Sequence, residues 1–200
     1  MPRQRVQEVS LYSTSGVRKY LNRQERECAL AVASEFPTNR ALFVLTLAWT
    51  GARVSEVLAL TASSFQIERG IVAIVTLKRR KHHVREVPIP PALMAALDRH
   101  FTVTESQRDP MLVSQRLWPW HRTTAWRFIK QIMRRAEITG RRASPRGLRH
   151  AFGIGALQSN VPLNLVQRWL GHARLSTTAI YAEVSGPEER AFAESFWTSN

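Results

Sequence analysis

Four separated pieces of this 200-residue chain hold cationic side chains where a neighbouring element would keep them still. Arg53 follows an apolar run and a glycine in "TGARVSE", and Lys78 closes a β-branched run in "VTLKRR". Arg146 and Arg149 stand three residues apart in "SPRGLRH", a spacing that shares one face of a helix. His172 comes directly after Gly171 in "LGHARLSTTAIY", and that stretch ends in Tyr181. Fixed cations with directed donors suit displacement at phosphorus. Negative charge grows there on the non-bridging oxygens of a pentacoordinate centre, and guanidinium forks meet those oxygens two donors at a time. A tyrosine oxygen is a nucleophile able to attack such a phosphorus. Blander fates stand beside this one: a tyrosine as an amphipathic core residue, a histidine answering a helix dipole, arginines as caps or surface charges.

Stepping along the chain shows which elements must hold these groups. The first twenty or so residues have weak periodicity and form a candidate flexible arm. "NRQERECALAVASEF" then offers Asn22 and Glu25 as a capping box, a helix start. Asn39 is expected to open a second helix in "NRALFVLTLAWTG", buried because it is nearly all apolar, and stopped by Gly51. "GARVSEVLAL" restarts the helical period, while "GIVAIVTLK" and "VREVPIP" flank the polar "RRKHH" as a hairpin with a basic tip. "PPALMAALDRHF" reads as a short helix, and "TTAWRFIKQIMRRAEI" as a longer one with Trp126, Ile129, Met133 and Ala136 on its apolar stripe. Ser144 and Pro145 form an N-cap and first-turn pair, and Pro162 with Gly171 brackets "VPLNLVQRWLG". The fold class expected is α+β, mainly helical with a small antiparallel sheet.

Lys and Arg together number 29 against 15 Asp and Glu, a formal charge of +14, which favours polyanionic partners and nucleic acid above all. No apolar run approaches a membrane span, and "MPRQRVQEVS" has no apolar stretch to act as a signal peptide, so a soluble, intracellular protein is expected. The single cysteine, Cys28, excludes an intramolecular disulfide framework. The six histidines show no zinc spacing, and neither a Gly-rich phosphate loop nor an acidic pair suggests a metal nuclease.

Taken in order, "TGARVSEVLAL", "SPRGLRHAFG" and "LGHARLSTTAIYAEV" resemble the three signature boxes of the tyrosine recombinase, or phage integrase, family, and the resemblance spans nearly the whole chain. It implies a site-specific DNA recombinase of the prokaryotic cytoplasm, acting on nucleoid DNA without metal or nucleotide cofactor. Tyr181 would attack a scissile phosphate and form a 3′-phosphotyrosyl intermediate. Arg53 and Arg149 would clamp the phosphate oxygens with help from His172, and Lys78 would protonate the departing 5′-oxygen, with Lys81 as the competing choice. The expected partners are duplex DNA, a homotetramer at synapsis and, as a further candidate, an accessory protein. Integration, inversion and resolution share this chemistry and stay unseparated. Two rivals remain: a catalytically silent DNA-binding protein of the same fold, and a type IB topoisomerase-like enzyme.

Two departures from the family pattern stand out. Arg146 occupies a position where the family usually has histidine or lysine, and arginine is a poor base for a tyrosine proton. Residues 21–200 read as a catalytic domain without the helical DNA-clamping domain that most members place before it. Arg127, Lys130 and Arg134 share a helix face that in the resembled fold approaches the major groove, and Arg79 and Arg80 on the hairpin tip add to the expected DNA surface. His150 is read as a residue that packs or supports its neighbours rather than as a catalyst, and Glu56 as one that orients a neighbouring cation. "GPEERAFAESFW" presents Phe192, Phe196 and Trp197 on an amphipathic helix that either docks on a neighbouring protomer or folds back on its own domain.

Overall fold

The computed structural model describes residues 10–76, 83–182 and Trp197. Helix α1 (Arg23–Ser34) starts at a closed capping box: the Glu25 amide donates to Asn22 Oδ1 at 2.8 Å and the Asn22 amide donates to Glu25 Oε2 at 2.9 Å. Helix α2 (Thr38–Thr50) begins one residue before the expected Asn39, because Pro37, with φ of −49°, fills the cap position. Its apolar surface explains its place: Ala41, Leu42, Phe43, Val44, Leu47 and Ala48 are buried, and α1, α4 (Pro91–Phe101) and α7 (Pro145–Gln158) pack around it. Gly51 ends it with φ of +60°. The expected helical restart at "GARVSEVLAL" is a single turn, α3 (Val54–Val57).

Strands β1 (Phe65–Gln66), β2 (Ile71–Val75) and β3 (Val84–Pro88) form an antiparallel sheet in that order, with Val75 opposite Val84 and Val72 opposite Val87. Alternation sends Val72, Ile74 and Val87 into the core, and with them Arg85. Lys78, Arg79, Arg80 and Lys81 lie outside the described residues. Beyond the sheet come α4, the one-turn α5 (Val103–Ser106) and α6 (Arg122–Arg135).

On α6 the buried stripe is Ala125, Ile129, Ile132 and Met133, continued by Ala136, and Trp126 is not part of it, being 49% exposed. The stripe is centred on Ile129 and extends towards Ala125 and Ile132, which leaves Trp126 at its rim beneath the Lys130 ammonium. Helix α7 starts at Ser144, whose hydroxyl accepts the Gly147 amide, with Pro145 in the first turn. Helix α8 (Leu163–Leu170) runs from Pro162 to Gly171, φ +67°, and a last turn, α9 (Ser176–Ala179), follows. Leu175 occupies the cap position of α9 without a side-chain hydrogen bond.

The larger core joins α2, α4, α6 and the sheet. A smaller one gathers Leu11 and Tyr20, Ile154 from α7, Val166 and Leu170 from α8, and Ile180 and Tyr181. Of the stretch read as a candidate arm, residues 10–20 thus contribute to this second core, folded into a turn by a Tyr12–Arg18 bridge and a 3.0 Å contact between the Tyr12 and Tyr20 hydroxyls. Phe192 and Phe196 lie outside the described residues, and Trp197 is 64% exposed.

Candidate active site

The Gly51 stop turns the chain so that Arg53 becomes the extended residue preceding α3, and Glu56 falls at the third position of that helix. The buried Glu56 carboxylate accepts the Arg53 amide at 2.9 Å and the Arg53 guanidinium at 2.7 Å. Its second ion pair, 2.6 Å long, is with Arg85 of β3. Arg85 also donates to the Trp169 carbonyl at 2.7 Å and to Thr76 Oγ1 at 2.9 Å, which ties the sheet to the end of α8. Burial by itself would raise the Glu56 carboxyl, but Arg85 and Arg53 outweigh it and hold it below the usual range.

Arg149 rises from α7 into the same place. Its guanidinium donates to the Gly51 carbonyl at the end of α2 and, at 2.7 Å, to the Leu170 carbonyl at the end of α8. Two helix C-termini therefore hold one cation, a favourable match of charge and dipole. Burial pushes Arg149 down to about 9, with Arg53 adding repulsion, and it remains a cation at neutral pH.

Gly171 has two reasons to be glycine: its positive φ, and a Cβ there would sit 3.1 Å from Thr76 Oγ1 and 3.2 Å from Arg85. This tight passage delivers His172 beside the arginines. His172 Nδ1 lies 2.9 Å from Thr178 Oγ1, and burial together with Arg149 and Arg53 lowers the imidazole to about 3, so it is neutral at pH 7. Tyr181 follows α9 in a turn closed by its amide on the Thr178 carbonyl at 3.0 Å. The phenol is 3% exposed, stacks on His172 with 6.3 Å between ring centroids, and presses against Gly153, where a Cβ would come within 2.7 Å of the ring. Its hydroxyl meets His150 Nδ1 at 3.1 Å. Burial raises the phenol above its ordinary value, while Arg149, Arg146 and Arg53 pull the other way.

Four of the expected residues, Arg53, Arg149, His172 and Tyr181, thus come together from four segments. Arg146, one turn earlier on α7, is exposed, with its charge felt at Tyr181 and His150. Arg127 and Arg134 are exposed on the face of α6 away from the core, and Lys130 donates to the Ala143 carbonyl at 3.0 Å. Arg85 was not among the expected residues, although the strand period carries the signal: it is in phase with Val87 and Ile89, both buried. Among the described residues no cluster of His, Cys, Asp and Glu fits a metal ion. Nor is any described helix long and apolar enough to cross a membrane.

Three arginines around one carboxylate leave an excess of positive charge, with a neutral imidazole and a phenol beside it. Such a place has the charge to attract an anion, with a phenol beside it that could act as a nucleophile. Residues 19–187 match the model of the phage integrase family. The tyrosine recombinase XerA of Pyrococcus furiosus is 31% identical over 176 residues, covering 84% of this chain and 58% of its own length. Among solved structures, a XerA recombinase superposes with a TM-score of 0.71 at 25% identity, over 88% of this chain and 64% of that one. A XerH site-specific recombinase bound to difH substrate in a pre-cleavage complex gives 0.70 at 21% identity, over 93% and 59%. The chain therefore spans little more than half the length of these relatives.

Proposed function

Since this chain belongs to the phage integrase family of tyrosine recombinases, we propose that it is a site-specific recombinase that cuts and rejoins duplex DNA through a 3′-phosphotyrosyl intermediate. The observation that carries this reading is the meeting of Tyr181 with Arg53, Arg149 and His172 in one cation-rich place. A phosphodiester drawn there offsets the excess charge. Arg53 and Arg149 bind its non-bridging oxygens, and Arg146 adds charge from the rim. His172, its Nδ1 held 2.9 Å from the Thr178 hydroxyl, gives a phosphate oxygen a hydrogen bond through its ring. Tyr181 Oη bonds to phosphorus as the bond to O5′ breaks, and Lys78, or Lys81 in its place, protonates the leaving oxygen. Lysine suits this task because, unlike arginine, it can release a proton near neutrality when other cations surround it.

Strand exchange between two duplexes breaks four strands, and with one nucleophilic tyrosine per chain that takes four copies. A homotetramer at synapsis follows from this count, with an accessory protein as a further candidate partner. Arg127, Lys130 and Arg134 on α6, with Arg79 and Arg80 from the sequence between β2 and β3, form the DNA-facing surface, and nucleoid DNA is the target.

The test uses nicked suicide duplexes tiled across the DNA that flanks the coding sequence, with products resolved on a denaturing gel. Wild type is expected to give a covalent adduct and Tyr181→Phe none. Tight, salt-sensitive binding of the same DNA without any adduct would overturn the recombinase reading in favour of a DNA-binding protein that kept the fold.

A further inference from the structure

We propose that His150 is the catalytic base of this site, taking the Tyr181 phenolic proton as the tyrosyl oxygen bonds to phosphorus and returning it when the DNA strand is rejoined. The inference rests on Tyr181 being the nucleophile. Its own ground is the 3.1 Å contact between His150 Nδ1 and the Tyr181 hydroxyl, made inside the protein by two buried side chains. The other groups around the phenol are unsuited to accept its proton. Arg146 and Arg149 are cations with no lone pair to offer. Glu56 has both oxygens committed to Arg53 and Arg85. His172 meets the phenol ring in a stack, its plane 20° from parallel, and its Nδ1 faces Thr178.

The surroundings of His150 keep it neutral, with a ring nitrogen free of a proton. Burial comes first, then Arg146 and Arg149 from its own helix and Lys19 from the N-terminal turn, and together they lower the imidazole to about 4. His172 and Tyr181 are the remaining titratable groups that face it. A weak base is sufficient here, because the phenolic oxygen becomes far more acidic as its bond to phosphorus forms, and the proton passes late in the step. The incoming phosphodiester also adds negative charge, which strengthens the base at the moment of use. The O–H bond of Tyr181 breaks and the N–H bond of His150 forms, while the Tyr181 O–P bond forms, the P–O5′ bond breaks and the departing O5′ takes a proton from Lys78 or Lys81. In the reverse step the 5′-hydroxyl gives its proton back to that lysine as it attacks phosphorus, and the imidazolium protonates the departing tyrosyl oxygen. His150 directly follows Arg149, so one turn of α7 fixes both the phosphate clamp and the proton acceptor.

The experiment compares wild type, His150→Asn and His150→Ala in single-turnover adduct formation on the tiled nicked duplexes, with DNA binding and melting followed in parallel. Asparagine places an amide near the Nδ1 position, so it keeps a hydrogen bond to the phenol but takes no proton. Its adduct rate is expected to fall about 100-fold with binding and melting unchanged. The wild-type rate falls on acidification as the pH approaches the His150 value of about 4, and the Asn variant loses that limb. Added imidazole speeds His150→Ala and leaves wild type unchanged. Adduct formation by His150→Asn at the wild-type rate with the wild-type pH profile would overturn the assignment, even if His150→Ala fails to fold. Absence of adduct in wild type itself would instead overturn the parent reading, and this one with it.

Discussion

Glu56 holds the site together from beneath: a buried carboxylate whose oxygens are divided between the Arg53 side chain and amide on one side and Arg85 on the other. Its replacement by glutamine leaves the fully buried Arg85 guanidinium without a counter-charge, a change that costs about 3 kcal/mol or more. Urea unfolding of Glu56→Gln is the measurement, and a midpoint within error of wild type would refute the role. The two histidines make a second residue-scale prediction. In the folded protein they bind protons only near about 4 (His150) and about 3 (His172), against an ordinary 6.5. The unfolded chain therefore takes up more protons as the pH drops. Their contribution to stability is complete above pH 6.5 and is lost as the pH falls towards those folded values, by up to about 1.4 kcal/mol per pH unit for each ring. Glu56, held low, loses its contribution in a more acidic window below 4.5. Melts from pH 7 to pH 5 should show a steep decline, shallower in His150→Asn. At this scale Arg53 and His172 were legible just behind the glycine stops at Gly51 and Gly171 and Arg149 one turn behind the Ser144 cap, whereas Tyr181 was legible through the resemblance of its whole stretch to the family box. The bond from His150 to Tyr181 was not, since it joins residues 31 positions apart and depends on how α7 meets the turn after α9.

The elements owe their positions to a few places of close approach. Gly153 on α7 makes room for the Tyr181 ring, with ring atoms at 2.7 to 2.9 Å from where a Cβ would stand. Gly153→Ala is expected to leave α7 helical, since alanine favours helix, and to push the phenol off its seat. The expected result is a severalfold lower adduct rate at unchanged DNA affinity, together with faster nitration of Tyr181 by tetranitromethane. A wild-type rate and wild-type nitration would show that the seat is looser than the geometry states. Element boundaries were readable wherever the determinant is local: the Asn22–Glu25 box, the Ser144–Pro145 start and the stops at Gly51 and Gly171 all stand where expected. Reading failed where tertiary packing decides. The apolar period of α6 admits Trp126, yet the core takes the flank bearing Ala125 and Ile132 instead. Arg85 keeps an inward strand position that pattern alone reserves for an apolar residue, because Glu56 is waiting there.

For the whole molecule the dominant quantity is the formal charge of +14. Arg127 and Arg134 stand exposed on the outer face of α6, and each is expected to meet one phosphate. Replacing either by alanine should weaken binding to all sequences alike and make the slope of log affinity against log salt shallower by about 1. Fluorescence anisotropy titrations over a range of salt check this, and an unchanged slope in both variants would remove α6 from the DNA surface. If the chain is the recombinase proposed above, the same charge would keep it most of the time on DNA that is not its target, because phosphate attraction ignores sequence. An uncovered nucleophile would make every such encounter an opportunity for a stray nick. With 3% of Tyr181 accessible, a recombinase of the proposed kind would sit harmlessly on DNA that is not its target, because the phenol is enclosed by the smaller core.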